Sequence, residues 1–354
     1  MSQRPTIYAV AKRCGVSTTT VSRVMQDETF GSPLTRDRVL TTAAELGWVP
    51  NGAARGLASR KTGIVGLLFP DLGEPGVGEE ESPLYVDQVI RGAERVTTAA
   101  GQAVLIAAVR AGGGKSLAYS VAGKVDGLVI MSRSLSDKDV ASIARTVPVV
   151  LLAHKPGRKS LDHVAVDNRS GAREMTAHLI EVHGYRELVY IGGPEGSPDS
   201  NERFLGFCES LEAAGLPVPE RPAAVGGFTE AGGKKAMLQL LGDSQLPRAI
   251  VFGNDEMAIG ALDVLAKANI SVPNDVAMTG FDDIAIARHV YPSLTTVRQP
   301  MRELGEQAVQ LLFARLRDPQ AAKRALYLST ELVFRESCGC TKKITSSKRG
   351  LKDD

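Results

Sequence analysis

From Gly63 onward, apolar segments of strand length alternate with segments of helical spacing. The strand-like segments are "GIVGLLFPD", "QAVLIAAV", "VDGLVIM", "VPVVLLA", "ELVYIGG", "RAIVFGN" and "DVAMTGF". Helical spacing covers Tyr85–Ala100, Ser170–His183, Asn201–Ala214, Glu256–Ala268 and Arg302–Arg317. This alternation predicts an α/β fold in which parallel sheets are covered by helices on both faces. Because about 270 residues exceed the needs of one doubly wound sheet, we expect two lobes that change over near "VAVDNRSG".

The first 50 residues have a different pattern and predict short helices only. The expected helices are Ile7–Cys14, Thr18–Gln26 and a third that starts at Ser32-Pro33 and ends before Gly47; Thr6 and Ser17 are the expected N-caps of the first two. Counted from Ile7, residues Ala11, Gly15 and Val21 fall at positions five, nine and fifteen. A helix-turn-helix needs a small residue, a glycine and an apolar residue at these places.

Charge separates this head from the rest of the chain. Residues 1 to 61 carry nine Lys and Arg against four Asp and Glu, a net charge of +5, whereas the remainder carries 33 against 36, a net of −3. A basic helix-turn-helix predicts a DNA partner for the head alone. With the second helix in the major groove, we expect Thr18, Thr19 and Arg23 to meet base edges. Short donors suited to phosphate contacts are Ser17, Thr20 and Ser22.

Several motifs in order resemble one family. The stretches "TIYAVAKRCGVSTTTVSRVM", "SPLTRDRVLTTAAELGWVPN", "VFGNDEMAIGALDVL" and "TGFDDIAIARHVYPSLTTVRQP" are similar to the lactose-repressor (LacI/GalR) family of transcription regulators, over residues 6 to 339 nearly throughout. The resemblance implies a ligand-responsive repressor that binds a pseudo-palindromic operator in double-stranded DNA as a homodimer. It divides the chain into a DNA-binding head (1–50), a hinge helix (51–61), a two-lobed effector-binding and dimerisation domain (62–340) and a tail (341–354), which its composition predicts to be disordered.

The hinge and the two lobes have expected roles of their own. Gly52 and Gly56 weaken the hinge helix, which is expected to order only when paired in the minor groove, with Ala54 and Leu57 at the DNA and Leu57 as a wedge between base steps. The lobes resemble a periplasmic sugar-binding protein. The effector-binding residues carried over by motif are Tyr85, Arg203, Phe228, Asn254 and Asp282. Arg, Asp, Asn and an aromatic face suit a sugar or a related metabolite.

Two features depart from the family pattern. Ala153 stands where many relatives carry an Asp after the "VPVVLL" strand, which removes an expected hydroxyl ligand and leaves the effector class open. The acidic, glycine-rich stretch "GEPGVGEEES" is an insertion beside the expected cleft mouth. The sequence therefore leaves open the identity of the effector, whether it induces or corepresses, and whether the oligomer is a dimer or a tetramer.

Other classes of function find less support in the sequence. "GGGKS" lacks the first glycine of a phosphate-binding loop, and the five histidines show no catalytic or metal-ligand spacing. We expect no cofactor and no metal, since Cys338-Gly-Cys340 has no His or second Cys pair to complete a metal site. A small-molecule transport protein, the main alternative, would need a signal peptide, and an enzyme would need catalytic residues. We therefore expect a cytoplasmic regulator with no membrane partner.

Overall fold

The structure, a computed structural model, describes residues 5–25, 29–49, 61–70, 84–109, 115–153, 160–242 and 246–340. The chain divides into two compact units, Met1–Gly63 and Ile64–Asp354. The hinge positions Ala54 and Leu57, the insertion and the tail lie outside the described residues. None of the described helices is both long and apolar enough to cross a membrane.

The first unit contains the three expected helices: α1 (Ile7–Cys14), α2 (Thr18–Val24) and α3 (Pro33–Glu45). Gly15 and Gly47 follow α1 and α3 with φ values of 63° and 60°, the left-handed conformation that a glycine adopts at low cost. Thr6 occupies the N-cap position of α1, but its side chain accepts no capping hydrogen bond, contrary to expectation. Helix α2 ends at Val24, two residues before the predicted end.

The second unit begins with a six-stranded parallel sheet in the order β11-β5-β4-β3-β1-β2. Its strands are β1 (Ile64–Pro70), β2 (Ala103–Val109), β3 (Gly127–Met131), β4 (Val149–Leu152), β5 (Asp162–Val166) and β11 (Ala325–Leu328). Strands β3, β4 and β5 are buried almost throughout, which explains their continuous apolar sequence. This sheet and its helices form the first lobe.

The second lobe is built on a four-stranded parallel sheet in the order β7-β6-β8-β9. Its strands are β6 (Leu188–Gly192), β7 (Ala224–Val225), β8 (Ala249–Phe252) and β9 (Ala277–Thr279). Two further strands, β10 (Thr296–Arg298) and β12 (Glu331–Val333), pair antiparallel beside it. The predicted doubly wound, two-lobed fold is thus confirmed.

Eight α-helices are described in the second unit. They are α4 (Leu84–Ala99), α5 (Lys115–Ala122), α6 (Asp137–Ile143), α7 (Asn168–Glu181), α8 (Pro198–Ala213), α9 (Glu230–Gly242), α10 (Asp255–Lys267) and α11 (Met301–Arg317). The chain leaves the first lobe after β5, returns to it with α11 and β11, and leaves it again for β12. Helix α11 packs against α4 and against β3, β4 and β5, so a late segment completes the first lobe.

Glycines set the close approach of the helix pairs. A Cβ added to Gly305 of α11 would lie 2.1 Å from the Val89 carbonyl oxygen of α4, and one added to Gly92 would lie 1.9 Å from the Arg302 carbonyl oxygen. Gly206 at the α7–α8 crossing is equally tight, 2.2 Å from the Arg169 carbonyl oxygen. Side chains larger than hydrogen do not fit at these crossings without moving a backbone.

Candidate DNA-binding face and effector cleft

Helix α2 presents one polar face to solvent because its apolar residues are held by the head's core. Val21 and Val24 are buried together with Val10, Ala11, Cys14, Val39 and Ala43. Thr19 and Arg23 are exposed, and Thr18 and Ser22 are half-buried. An open groove of about 420 Å³ is lined by Ile7, Tyr8, Thr18, Thr19, Ser22 and Arg23. Four of the expected DNA-binding residues thus share one face with the start of α1.

The hydroxyls of Ser17 and Thr20 lie within the helix start itself. The Ser17 Oγ accepts a hydrogen bond of 3.0 Å from the Thr20 backbone N–H, which is the capping bond expected for α2. The two hydroxyl oxygens also lie 2.9 Å apart and share a hydrogen bond. Arg23 places its guanidinium 5.4 Å from the centre of the Phe30 ring, which restricts the side chain at the surface.

Arg203 is the centre of the polar group in the second lobe. This residue of α8 is only 3% exposed. Its Nε donates to Asn168 Oδ1 at 2.7 Å, and its Nη1 donates to the Gly253 carbonyl at 2.6 Å and to Asp282 Oδ1 at 3.3 Å. Its guanidinium also stacks 3.7 Å from the centre of the Phe281 ring. These contacts join α7, α8 and the carboxyl end of β8 around one cation.

Asp282 is held on one of its two carboxylate oxygens. Besides Arg203, the Gln299 Nε2 donates to Asp282 Oδ1 at 2.5 Å. The backbone of Asp282 has φ 116°, a conformation that side chains rarely adopt, and its N–H donates to the Val297 carbonyl at 2.7 Å. Burial raises the pKa of Asp282 to about 6, and the Arg203 charge opposes this rise.

Three polar residues of this group were missed in the sequence: Asn168, Asp199 and Gln299. Asn168 donates from Nδ2 to Asp199 Oδ1 at 2.9 Å, and burial raises the pKa of Asp199 to about 6 against the pull of Arg203. Gln299 directly follows strand β10, Asn168 lies two residues after strand β5, and Asp199 lies in the first turn of α8. Residues just after the carboxyl ends of parallel strands meet at one edge of a sheet, and this signal could have found Asn168 from the sequence.

Asn254 and Phe228 are joined to each other. The Asn254 Oδ1 accepts from the Met257 backbone N–H at 3.1 Å and caps α10, while its Nδ2 donates to the Phe228 carbonyl at 3.0 Å. Phe228 has φ 69°, and its ring lies 5.4 Å from the Arg203 guanidinium. The side chain of Asn254 therefore positions Phe228 beside Arg203.

Tyr85 brings the first lobe to the same place. It lies in the first turn of α4 and is half-buried. Burial raises the pKa of Tyr85, and the nearby carboxylates of Asp199 and Asp282 raise it further. At the same end of α4, the Leu84 backbone N–H donates to Glu256 Oε1 of α10 at 3.3 Å. The two lobes thus meet around Arg203, Asp282 and Tyr85.

Ala153 directly follows β4 in the first lobe. It is buried and has φ 55°, and its methyl group offers no hydrogen bond. The next two residues, His154 and Lys155, lie outside the described part of the chain.

Comparison with known proteins identifies the family. The family model described as bacterial regulatory proteins, lacI family, matches residues 6–51, and that of a periplasmic binding protein-like domain matches residues 176–338. Catabolite control protein A of Priestia megaterium is 32% identical over 337 residues, which cover 94% of this chain and 98% of that protein. The chain belongs to the LacI family. It is a DNA-binding transcriptional regulator with a periplasmic-binding-protein-like sensor.

Solved LacI-family structures cover nearly the whole chain. The complex of the transcriptional regulator CelR with cellobiose matches with a TM-score of 0.71 at 32% identity, over 94% of this chain and 100% of that one. The lac repressor dimer bound to operator and an anti-inducer matches with a TM-score of 0.80 at 26% identity, over 95% and 99%. These relatives are transcriptional regulators, not enzymes.

Proposed function

We propose that this LacI-family regulator is an operator-binding homodimer whose DNA affinity changes when a small polyhydroxylated molecule occupies the cleft between its lobes. The observation that carries the proposal is the buried Arg203–Asp282 pair, and Tyr85 of the opposite lobe interacts electrostatically with both of its charges. A charged pair of this kind costs free energy to bury unless its remaining donors and acceptors find partners. A ligand with adjacent hydroxyls supplies an acceptor for the remaining donors and a donor for the remaining acceptors.

The atoms of Arg203 and Asp282 that these hydrogen bonds do not use support a hydroxyl-rich ligand. Among the described residues, hydrogen bonds to Asp282 use Oδ1 and those from Arg203 use Nε and Nη1. Asp282 Oδ2 can then accept from one hydroxyl, and Arg203 Nη2 can donate to its neighbour. The Phe228 ring beside Arg203 suits the apolar face of a sugar ring. CelR binds cellobiose in its solved complex, and this chain is similar to it.

Ala153 narrows the choice of ligand. A carboxylate at this place would accept a hydrogen bond from a ligand hydroxyl, but the buried methyl group cannot. We therefore expect an effector with an apolar edge or a missing hydroxyl on the side of the first lobe, rather than a fully hydroxylated hexose.

On the DNA side, the exposed face of α2 supports major-groove binding by Thr18, Thr19, Ser22 and Arg23. We infer that the hinge around Ala54 and Leu57 adds minor-groove contacts and that the protein acts in the cytoplasm, where it meets the chromosome. Regulation rather than catalysis is the proposed role.

The test combines selection of DNA with a ligand panel. Full-length protein selects sites from a random DNA pool, and the enriched site is then titrated in gel shifts with sugars, deoxysugars, disaccharides and nucleosides. We expect a palindrome and at least one ligand that changes its affinity. The Asp282→Asn variant should bind the same operator but lose the ligand response roughly 10-fold or more, since a charge-assisted hydrogen bond is lost.

The control variant is Asp263→Asn, which changes an exposed aspartate of α10 paired with Lys267. It should respond to the ligand like the natural protein. A random pool that never yields a palindrome contradicts the DNA-binding proposal. A ligand response that survives unchanged in Asp282→Asn contradicts the proposed cleft.

A further inference from the structure

Four potential metal ligands converge at one place in the second lobe, although they are far apart in sequence. His178 lies in the last turn of α7, His183 lies in the loop before β6, and Cys338 and Cys340 follow β12. One ligand atom of each lies within 4.8 Å of the other three. The expectation that Cys338 and Cys340 have no histidine partners is therefore wrong. The fold brings His178 and His183, which are five positions apart in sequence, next to the two cysteines.

The separations fit a single tetrahedral ion. The two Nε2 atoms are 3.2 Å apart, Cys340 Sγ is 3.4 Å from each of them, and Cys338 Sγ is 3.9 Å from the Nε2 of His178. A zinc ion about 2.0–2.1 Å from nitrogen and about 2.3 Å from sulfur would separate its ligands by about 3.3 Å between nitrogens and about 3.6 Å between nitrogen and sulfur. These four separations lie within a few tenths of an ångström of such edges, and all six lie within 4.8 Å.

Local backbone features direct all four side chains inward. Gly184 follows His183 with φ 71°, and Gly339 separates the cysteines with φ 99°. A Cβ added to Gly339 would meet the Tyr185 hydroxyl at 3.1 Å. A glycine at position 339 therefore lets the Cys-Gly-Cys turn pack directly on the histidine loop.

Aromatic residues support the imidazoles from outside. The Tyr185 ring stacks on His183 with centroids 5.3 Å apart, and its hydroxyl donates to the Cys338 carbonyl at 3.0 Å. Phe334 lies 4.2 Å from the His178 ring. Such surroundings fix the ring orientation of ligating histidines.

The four candidate ligands differ in their exposure to solvent. His178 and Cys338 are buried, whereas His183 and Cys340 are half-buried. An ion could reach the site from the half-buried side.

We propose that His178, His183, Cys338 and Cys340 form a Cys₂His₂ zinc site that fastens the segment after β12 to the end of α7. All four positions come from the protein, which is typical of structural rather than catalytic zinc. Binding releases one proton from each thiol, and the two thiolates then balance the ion's double charge. The site lies next to the amino end of β6, where Arg248 packs over the Tyr185 ring. Arg203 and Asp282 lie at the opposite end of the strands, next to Gly253 after β8.

The test uses full-length protein, kept reduced, stripped of metal with a chelator and then titrated with Zn²⁺ or Co²⁺ alone. We expect about one zinc ion per chain, and a tetrahedral cobalt spectrum with visible d–d bands and a thiolate-to-cobalt charge-transfer band. Cys340→Ser and His183→Asn change the two half-buried ligands, so that folding can be checked by circular dichroism. Each should lower zinc affinity roughly 100-fold or more.

Matched controls change a cysteine and a histidine elsewhere. Cys208→Ser and His289→Asn lie outside the cluster and should bind zinc like the natural protein. Cobalt that gives no tetrahedral spectrum with reduced protein overturns the proposal. An unchanged cobalt spectrum in folded Cys340→Ser overturns it as well. So does a Cys338–Cys340 disulfide that persists under the reducing conditions of the test. These readouts do not depend on operator or effector binding.

Discussion

Thr18, Thr19 and Thr20 occupy different environments within one helical turn. Thr20 shares a hydrogen bond with the capping Ser17, whereas Thr18 and Thr19 line the outer groove. Threonine is a poor helix former, but Val21 and Val24 hold this helix by packing. The run therefore places two side chains on the face that we propose to meet the DNA, without needing intrinsic helicity.

From this arrangement we predict that Thr18→Ala and Thr19→Ala change which operator is preferred while the head stays folded. Each lost base contact should cost about 1–3 kcal/mol at the affected base pair. The measurement is selection from a random DNA pool at one salt concentration, followed by comparison of the enriched sites. Thr41→Ala, an exposed threonine of α3, is the control. An unchanged preference in all three variants would mean that a different face of α2 meets the bases.

At Asp282, we predict a pH-dependent contribution to stability. Burial raises its pKa from 3.8 to about 6, so between pH 4 and pH 6 the folded protein binds more protons at this site than the unfolded chain does. Stability from this group is therefore present at low pH and lost as pH rises towards 6, by up to about 3 kcal/mol. Asp282→Asn removes the titration. The free energy of unfolding of the variant, minus that of the natural protein, should rise between pH 4 and pH 7.

Urea denaturation across this pH range, without effector, measures the difference. Asp263→Asn is the control, because Lys267 lowers the pKa of exposed Asp263 and the difference should be slight and of opposite sign. Parallel pH curves for Asp282→Asn and the natural protein would show that Asp282 titrates normally.

Single residues of the cleft differ in how far the sequence could predict them. Arg203 and Asp282 were identified by their motifs, and the structure brings them together. Asp199 and Gln299 were missed because they come together only in the folded chain. Their positions depend on how α8 and β10 are placed after the chain has passed from one lobe to the other. The four metal-ligand candidates were missed for the same reason, since 160 residues separate His178 from Cys338.

At the scale of elements, strongly periodic segments were predicted well and short ones were not. The five helices expected in the second unit begin and end within three residues of expectation, because a two-lobed core needs their apolar faces. Helix α9, although 13 residues long, was not predicted. In the sequence, "ALYLSTELVFRES" has the pattern of one strand-like segment, but it splits into β11 in the first lobe and β12 in the second. Both halves are short and largely apolar, so the apolar pattern does not record the change of lobe.

The crossing of α4 and α11 allows a prediction at this scale. Gly305→Ala would push a methyl group to within 2.1 Å of the Val89 carbonyl oxygen, so the helices must separate. Overpacking of this kind should cost about 1–3 kcal/mol of stability, measured by urea denaturation.

The control is Gly242→Ala in α9, where an added Cβ meets nothing within 4 Å. Since alanine favours helices, the control should be neutral or gain up to about 1 kcal/mol. Equal loss in both variants would show that the close crossing at Gly305 is not the cause of the loss.

At the scale of the whole molecule, the function requires communication between the cleft and the DNA. An effector shifts operator affinity only by the difference between its affinities for the two states of the regulator. Two lobes joined by three chain crossings can close around a ligand, since the crossings act as hinges. We propose that residues 51–61, the hinge helix that the family resemblance implies, connect this closure to the head.

The connection predicts a distinct behaviour for Leu57→Ala. If Leu57 enters the minor groove as a wedge between base steps, its loss removes a contact that exists only on the bent operator. Affinity for the selected operator should fall by roughly 10-fold or more, at about 1–3 kcal/mol for a lost specific contact, while affinity for random DNA stays nearly constant. Gel-shift titrations on both DNAs at one salt concentration measure the ratio of the two affinities. Losing a phosphate contact would lower both affinities equally and leave this ratio unchanged. Leu117→Ala, an exposed leucine of α5 in the sensor, is the control and should leave both affinities unchanged. Equal loss on the two DNAs would make the hinge a plain linker whose contacts carry no sequence information.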